Sequence, residues 1–407
     1  MSTPANIEID RSKKLRSIAL LIVAEIFAMS LWFVSAAILG DMSAEANLSA
    51  GTQAALSSAV QAGFVIGAVS SAVFGLADRY DARRVFAFFC IVAAIANALL
   101  LVVVPGSAYA IVLRAITGAS LAGVYPVGMK IAIGWGQKDR GLLVGLLVGG
   151  LTLGSASPHL LAFLGGADWR STVLGASVLA VIAAIIVLAV RNGPFDTRAA
   201  SFNPAAIKEA WTNPSIRRAY GGYLGHMWEL YAMWSWIGVA LAVSFSAQMP
   251  SDAASEFAKL MAFIIIAAGA LSCGIAGWVA DRIGKAELTI IAMAVSGISA
   301  LLFALTFGGA VWITVVISII WGISIIPDSA QFSVLVADHA KGDQAGSLLT
   351  FQTALGFALT IATVQLTPVV ADILGWPIMM GLLALGPLFG IMCILGLTKR
   401  AISNAMI

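Results

Sequence analysis

The stretch Glu25–Trp32, with the sequence EIFAMSLW, returns half a chain later as Glu229–Trp236, with the sequence ELYAMWSW. A carboxylate, an aromatic residue, Ala-Met and a tryptophan recur at the same spacing. Both copies lie inside long apolar runs. Acids are rare within membrane spans and are functional by default, so this repeat predicts a duplicated membrane protein with buried, working carboxyl groups.

The rest of the composition fits a chain that crosses the membrane many times. The 407 residues are 60% hydrophobic and only 11% charged. A span of ~20 apolar residues crosses the hydrocarbon core of a bilayer. Such spans predict an all-α membrane protein with twelve transmembrane helices, at residues 17–39, 52–76, 85–105, 108–134, 141–164, 171–190, 219–245, 256–279, 287–308, 311–336, 346–369 and 376–397.

The basic residues predict how the chain is oriented. With the N-terminus inside, 19 of the 23 Lys and Arg residues fall in inner loops and tails. Because basic residues accumulate on the cytoplasmic side, both termini are expected in the cytoplasm, with the chain a multi-pass protein of the cytoplasmic (inner) membrane. The net charge of +3 reflects this asymmetry, so no nucleic-acid partner is expected.

The two halves of the chain match at a nearly constant offset. Glu25 and Glu229 are 204 residues apart, Asp78 and Asp281 are 203 apart, and Pro126 and Pro327 are 201 apart. Each half has an even number of spans, so the copies are parallel and related by an axis along the membrane normal. We therefore predict two pseudo-symmetric six-helix bundles around a central cavity, with bundles at 1–190 and 219–407 and a cytoplasmic linker at 191–218 in which 204–211 forms a short helix.

Three motifs resemble those of the major facilitator superfamily, and the resemblance covers the whole chain. Asp281-Arg282-Ile283-Gly284-Lys285 is similar to the loop motif of that family, and Gly75–Arg84 is a looser copy with Asp81 at the usual glycine position. Arg114 followed by Gly118 resembles its second motif. Stretches such as Tyr125–Lys130 are loosely similar to the nitrate/nitrite-porter group, but the signature of that group is missing.

The resemblance implies a rocker-switch transporter whose cavity is lined mainly by spans one, four, seven and ten. It also implies that charge clusters after spans two and eight latch the two halves together. The residues expected to take part in gating are Asp78, Arg79, Arg83, Asp281, Arg282 and Lys285, with helix bends at Pro126 and Pro327.

Span seven carries the clearest candidate for chemistry. His226, Glu229 and Trp236 share one helix face, and Glu229 lies ~15 Å into the span at ~1.5 Å per residue. An ionised carboxylate there is costly unless it is paired or hydrated, and histidine can share its proton. The pattern predicts proton coupling by Glu229 and His226; hydrogen bonds to neighbouring helices are the alternative. Glu25 is a further candidate, for protons, for substrate or for an ion pair.

The other cavity spans supply candidate substrate contacts. In span ten, Pro327 is expected to kink the helix and free a carbonyl beside Asp328. Span four supplies Arg114, which stays charged and is expected to meet an acid such as Glu25, a carbonyl or an anionic substrate. The expected substrate-binding residues are Asp328, Arg114, Trp32, Trp236, Trp321, Gln331 and Lys130.

These residues favour a proton-coupled secondary active transporter for a small organic solute that is cationic, zwitterionic or aromatic. Two alternatives stay open: an anion porter using Arg114, His159 and Lys130, and a divalent metal exporter using His226, Glu229 and Asp328. The sequence has no nucleophile–base motif, so no enzyme activity, cofactor or resident metal is expected. The expected partners are a small-molecule or ion substrate, protons and the lipid bilayer, with the chain acting as a monomer.

Overall fold

Helices make up all the regular structure in the part of the chain that the computed structural model describes, residues 10–75, 79–136, 139–195, 203–341 and 344–398. Eleven helical segments of these residues are long and apolar enough to cross a membrane. The helix Pro214–Phe245 is the twelfth; at 32 residues it is long enough, but Glu229 and several tryptophans and tyrosines lower its hydropathy. The predicted all-α fold with twelve transmembrane helices is confirmed.

The first six spans lie close to their predicted positions. Their helices begin at capping residues such as Asp10, whose carboxylate accepts from the backbone N–H groups of Ser12 and Lys13. The helices are Arg11–Met29 with Val34–Ala46 (span one), Ala50–Phe74 (two), Ala82–Ala98 with the 3₁₀ turn Leu99–Leu101 (three), Ala108–Leu121 with Tyr125–Ile133 (four), Arg140–Gly165 (five) and Trp169–Leu188 (six).

The last six spans follow a short linker helix. That helix is a 3₁₀ turn, Pro204–Ala206, continued by Ile207–Thr212, as predicted. The helices are Pro214–Phe245 (span seven), Ser251–Ile283 (eight), Lys285–Thr306 (nine), Val311–Ser324 with Ser329–His339 (ten), Ala345–Leu374 (eleven), and Trp376–Leu382 with Leu385–Ile394 and the 3₁₀ turn Leu395–Leu397 (twelve).

Three of the four predicted cavity spans are interrupted near their middle. Span ten breaks between Ser324 and Ser329, around Pro327, where the sequence predicts a kink. Span four breaks just before Pro126. Span one breaks at 30–33, where no proline or glycine occurs. Each break frees backbone carbonyls within the bundle, and these need hydrogen-bond donors.

Contacts between elements define two sides of the bundle. On one side, the Lys14 ammonium bonds Asp139, and the Asn203 N–H donates to Ser347. This side holds the start of span one and the linker, and we call it the termini side. On the other, the far side, the Arg170 guanidinium bonds the Glu45 carboxylate. The cavity helices run between these two sides.

Glycines bring the backbones of neighbouring spans into direct contact. A Cβ on Gly118 of span four would lie 1.9 Å from the carbonyl oxygen of Val60 in span two. A Cβ on Gly145 of span five would lie 3.3 Å from the carbonyl oxygen of Cys273 in span eight. Spans five and eight belong to different halves, so this glycine face brings the two halves together.

Candidate functional site

A buried cluster of polar side chains lies between spans seven and ten. Nδ1 of His226 lies 3.0 Å from Oδ1 of Asp328, and each side chain is only 1% exposed. Among the described residues, Oδ1 of Asp328 and Nε2 of His226 have no hydrogen-bond partner. The pair is therefore in contact without an aligned hydrogen bond, and both groups keep unused hydrogen-bonding capacity.

Glu229 lies one helical turn beyond His226 and is held at both carboxylate oxygens. The indole Nε1 of Trp321 donates to Oε1 at 2.7 Å, and the hydroxyl of Ser296 donates to Oε2 at 2.9 Å. The Glu229 side chain is 1% exposed. Trp321, predicted to contact substrate, therefore bonds an acid of its own half. Ser296 was not predicted, because in the sequence it looks like any other serine of a span, and such serines commonly bond a carbonyl of their own helix.

Glu25, the first-half counterpart of Glu229, has a contrasting environment. It is fully buried, and neither carboxylate oxygen has a hydrogen-bond partner within the described residues. A Cβ on Gly128 of span four would lie 2.7 Å from its Oε2. Glycine at that position thus leaves room for the carboxyl group, which is packed tightly and has no ion pair with a described basic residue.

Arg114 lies away from Glu25 and binds the broken part of span one. Its Nη2 donates to the carbonyl oxygens of Leu31 at 2.9 Å and Trp32 at 2.8 Å, and its Nη1 donates to Oδ1 of Asn97 at 2.9 Å. The ion pair with Glu25 considered from the sequence is not formed. The break at 30–33 exposes these carbonyls, and a fully buried guanidinium satisfies them.

Six aromatic rings from both halves pack together, between the two glutamates and the far side of the bundle. Trp32 lies 5.8 Å from Tyr231 and 5.6 Å from Phe357 between ring centroids. We call this group the aromatic layer; its members are Trp32, Phe33, Phe64, Tyr231, Trp234 and Phe357. The layer has to come apart if the halves separate on the far side.

The remaining predicted contacts are dispersed. Trp236 lies outside the aromatic layer, donates to the carbonyl oxygen of Val364 and packs at a tilt against the ring of Trp376. Gln331 and Pro327 line a cavity of about 30 Å³ between the halves. Lys130 is half-buried in the second helix of span four.

The predicted charged gating residues that the structure describes lie on the termini side. Asp78 lies outside the described residues, and Arg79 is exposed. The Arg83 guanidinium bonds Asp81 and thereby lowers the pKa of that carboxyl group. The Lys285 ammonium bonds Asp338, and the Arg282 guanidinium lies over the ring of Trp278. Each of these contacts stays within one half.

An ion pair joins the halves on the far side. The Nζ atom of Lys259 in span eight lies 2.8 Å from Oδ2 of Asp41 in span one. The same atom lies 2.7 Å from Oε1 of Glu256 and donates to the carbonyl oxygen of Gly166 at 3.0 Å. The Lys259 side chain is only 8% exposed, so solvent screens these contacts weakly.

Lys259→Met is expected to open the far side. Without the cation, Asp41 and Glu256 face each other across the boundary as like charges, and the closed state loses roughly tenfold or more in relative population. The measurement is double electron–electron resonance between spin labels attached to Ala44→Cys and Asp252→Cys. The native cysteines are replaced by alanine in this variant. The label distance should lengthen.

Lys341→Met is the matched control, since Lys341 pairs with Glu209 without joining the two bundles. Its label distances should equal those of the parent. Equal distributions in Lys259→Met and the parent would show that this ion pair does not hold the far side closed.

The fold and the site define a class of protein: a transporter of two six-helix bundles, with broken helices and buried acids in each bundle. The family model of the Major Facilitator Superfamily matches residues 20–362, and the chain belongs to this family. It is a transporter and not an enzyme.

Solved structures agree on the fold. The chain is similar to a point mutant of the nucleoside transporter NupG, at 15% identity and a TM-score of 0.72, covering 95% of this chain and 100% of that one. It is also similar to the xylose transporter XylE from E. coli, at 12% identity and a TM-score of 0.69, covering 94% and 98%. No curated protein matches the sequence significantly.

Proposed function

We propose that this protein is a proton-coupled secondary active transporter of a small organic solute that is cationic, zwitterionic or aromatic. The observation that carries the proposal is the burial of acids in both halves: Glu229 one helical turn from the His226–Asp328 contact, and Glu25. Buried acids without a fixed cation can take up and release protons as the bundle opens to one side and then the other.

The solute class rests on the balance of charge and on the aromatic layer. Arg114, which bonds the backbone of Trp32, uses Nη1 and Nη2 to donate to acceptors of its own half. The indole Nε1 atoms of Trp32 and Trp234 are buried and lack partners within the described residues. Aromatic faces with free N–H groups suit an aromatic or cationic solute that also accepts hydrogen bonds.

The solute path is proposed to run between the aromatic layer and the acids. Trp32 lines it on the far side, and Asp328 and Gln331 line it on the termini side, with Lys130 in reach from span four. Trp321 contributes by orienting Glu229. Nucleosides and xylose, named for the two similar structures, are polar organic solutes and belong in any panel of test compounds.

We further propose the orientation and the moving parts. The positive-inside rule assigns the termini side to the cytoplasm, in the cytoplasmic (inner) membrane. The moving units are residues 1–190 and 219–407, joined by the linker at 191–218, in a monomer. The Asp78 and Asp281 clusters latch the termini side when it closes, and Pro126 and Pro327 bend.

Neither alternative gains a supporting observation. Nη1 and Nη2 of Arg114 donate to three acceptors of its own half, and among the described residues its Nε alone lacks a partner, so little of the guanidinium is left for an anion. No three His, Cys, Asp or Glu side chains come together as a metal site in the part of the chain that the structure describes.

The purified protein in liposomes, loaded with a pH-sensitive dye, tests the proposal. A panel of amines, amino acids, nucleosides, sugars, organic anions and divalent metals is added outside. At least one organic cation, zwitterion or aromatic solute is expected to change the internal pH and to accumulate under an imposed pH gradient. Transport of a solute that neither moves protons nor responds to the gradient would contradict proton coupling.

A further inference from the structure

We propose that Ser296 is the positioning residue that lets Glu229 gain and lose a proton without losing a hydrogen bond. This inference rests on the proposed proton coupling at Glu229. Ser296 lies in span nine, is 1% exposed, and is the only hydroxyl seen to bond Glu229 among the described residues. Its role follows from which atoms near it can donate and which can accept.

Trp321 decides which carboxylate oxygen can hold the proton. An indole N–H only donates, so Oε1 of Glu229, at 2.7 Å from Nε1, has to remain an acceptor. A proton on Glu229 therefore belongs on Oε2, the oxygen 2.9 Å from the Ser296 hydroxyl.

The serine hydroxyl has two partners and can serve both states. When Glu229 is ionised, the hydroxyl donates to Oε2. When Oε2 is protonated, it donates to the serine oxygen, and the serine hydrogen turns to the carbonyl oxygen of Met293, 3.1 Å away. Each state keeps both carboxylate oxygens bonded, so neither incurs the cost of an unsatisfied buried polar group.

No equivalent of this serine–tryptophan arrangement is found among the described residues of the first half. At the offset of 203 that relates Asp78 to Asp281, Ser296 corresponds to Ala93, and at the offset of 201 Trp321 corresponds to Ser120. The Ser120 hydroxyl bonds the carbonyl oxygen of Ile116, and both oxygens of Glu25 lack partners in the described part of the chain. Among the described residues, Glu229 therefore has a hydroxyl partner that can turn between two acceptors, and Glu25 has none.

Few other ionisable groups act on this site. Asp328 faces Glu229 from span ten, and His226 lies three residues earlier on span seven. Cys273 of span eight lies toward Asp328. The test therefore changes Ser296 alone and leaves these three residues in place.

Ser296→Ala is expected to keep the fold and to shift the pH midpoint of transport upward by about 0.5–1 pH unit. A hydrogen bond to a charged oxygen is stronger than one to a neutral group, so the substitution destabilises the ionised form of Glu229 more than the protonated form. Ser296→Thr, which keeps the hydroxyl, should restore the parent profile. Ser299→Ala is the control, because Ser299 is on the same helix and bonds only the carbonyl oxygen of Val295.

The outcomes separate this proposal from the one it rests on. If Ser296→Ala keeps the parent pH midpoint while Glu229→Gln loses coupling, the serine has no part in proton handling. If Ser296→Ala and Ser296→Thr shift the midpoint equally, packing and not the hydroxyl is responsible, and the proposal also fails. If Glu229→Gln stays coupled, the assignment of coupling to Glu229 is itself wrong.

Discussion

Glu229→Gln is expected to abolish accumulation driven by a pH gradient while leaving a folded protein that still exchanges solute downhill. Glutamine has nearly the shape of glutamate, so its Oε1 can accept from Trp321 and its Nε2 can donate to Ser296. It cannot release a proton. The initial rate of gradient-driven uptake should fall by ~100-fold or more, since positioned acid–base groups contribute on that scale to the rate of proton transfer.

The measurement compares uptake of the solute found in the liposome panel, with and without an imposed gradient. Glu45→Gln is the control, because Glu45 lies at the far side in an exposed ion pair with Arg170 and should not affect coupling. Full gradient-driven accumulation by Glu229→Gln would overturn the assignment and would move attention to Glu25 or to the His226–Asp328 pair.

The spans were predictable because hydropathy reflects the bilayer directly. Span five was expected at 141–164 and is the helix Arg140–Gly165. Span eight was expected at 256–279, and its helix is longer, Ser251–Ile283, because charged residues extend it beyond the apolar core. The linker helix was expected at 204–211 and consists of Pro204–Ala206 and Ile207–Thr212.

The break in span one could not be predicted from its own residues. The sequence of 30–33 contains neither proline nor glycine, and its carbonyls are satisfied by Arg114, about eighty residues later. The charge of Arg114 was evident from sequence, but its partners were not, since they depend on how spans one and four rotate against each other.

The candidate site shows the same division between local and distant information. Helical spacing placed His226 and Glu229 on one face, and the bend predicted at Pro327 drew attention to Asp328 in span ten. Helical spacing gave no sign of Ser296 or of the aromatic layer, because their contacts join spans that are far apart in the sequence. Trp236 shares a face with Glu229, yet seven residues of rise take it to span eleven.

The second large effect is expected from Arg114→Leu, which should strongly destabilise the protein. The change leaves two carbonyl oxygens of the span-one break and Oδ1 of Asn97 without their donor, at a cost of about 1–3 kcal/mol for each unsatisfied group. The melting temperature in detergent should fall by roughly 5–10 °C. Arg114→Lys keeps the charge but lacks the planar fork that reaches several acceptors, so an intermediate loss is expected.

Arg170→Leu removes an exposed arginine and should change the melting temperature little, which makes it the matched control. The comparison also tests what Arg114 does. A large loss of stability in Arg114→Leu, with transport partly retained by the folded fraction, fits a residue that holds the break of span one and the base of the aromatic layer. An unchanged melting temperature together with lost solute binding would instead assign Arg114 to the solute path, as the sequence predicts. In that case the carbonyl oxygens of span one would not depend on Arg114 for their hydrogen bonds, and its removal would not destabilise the fold.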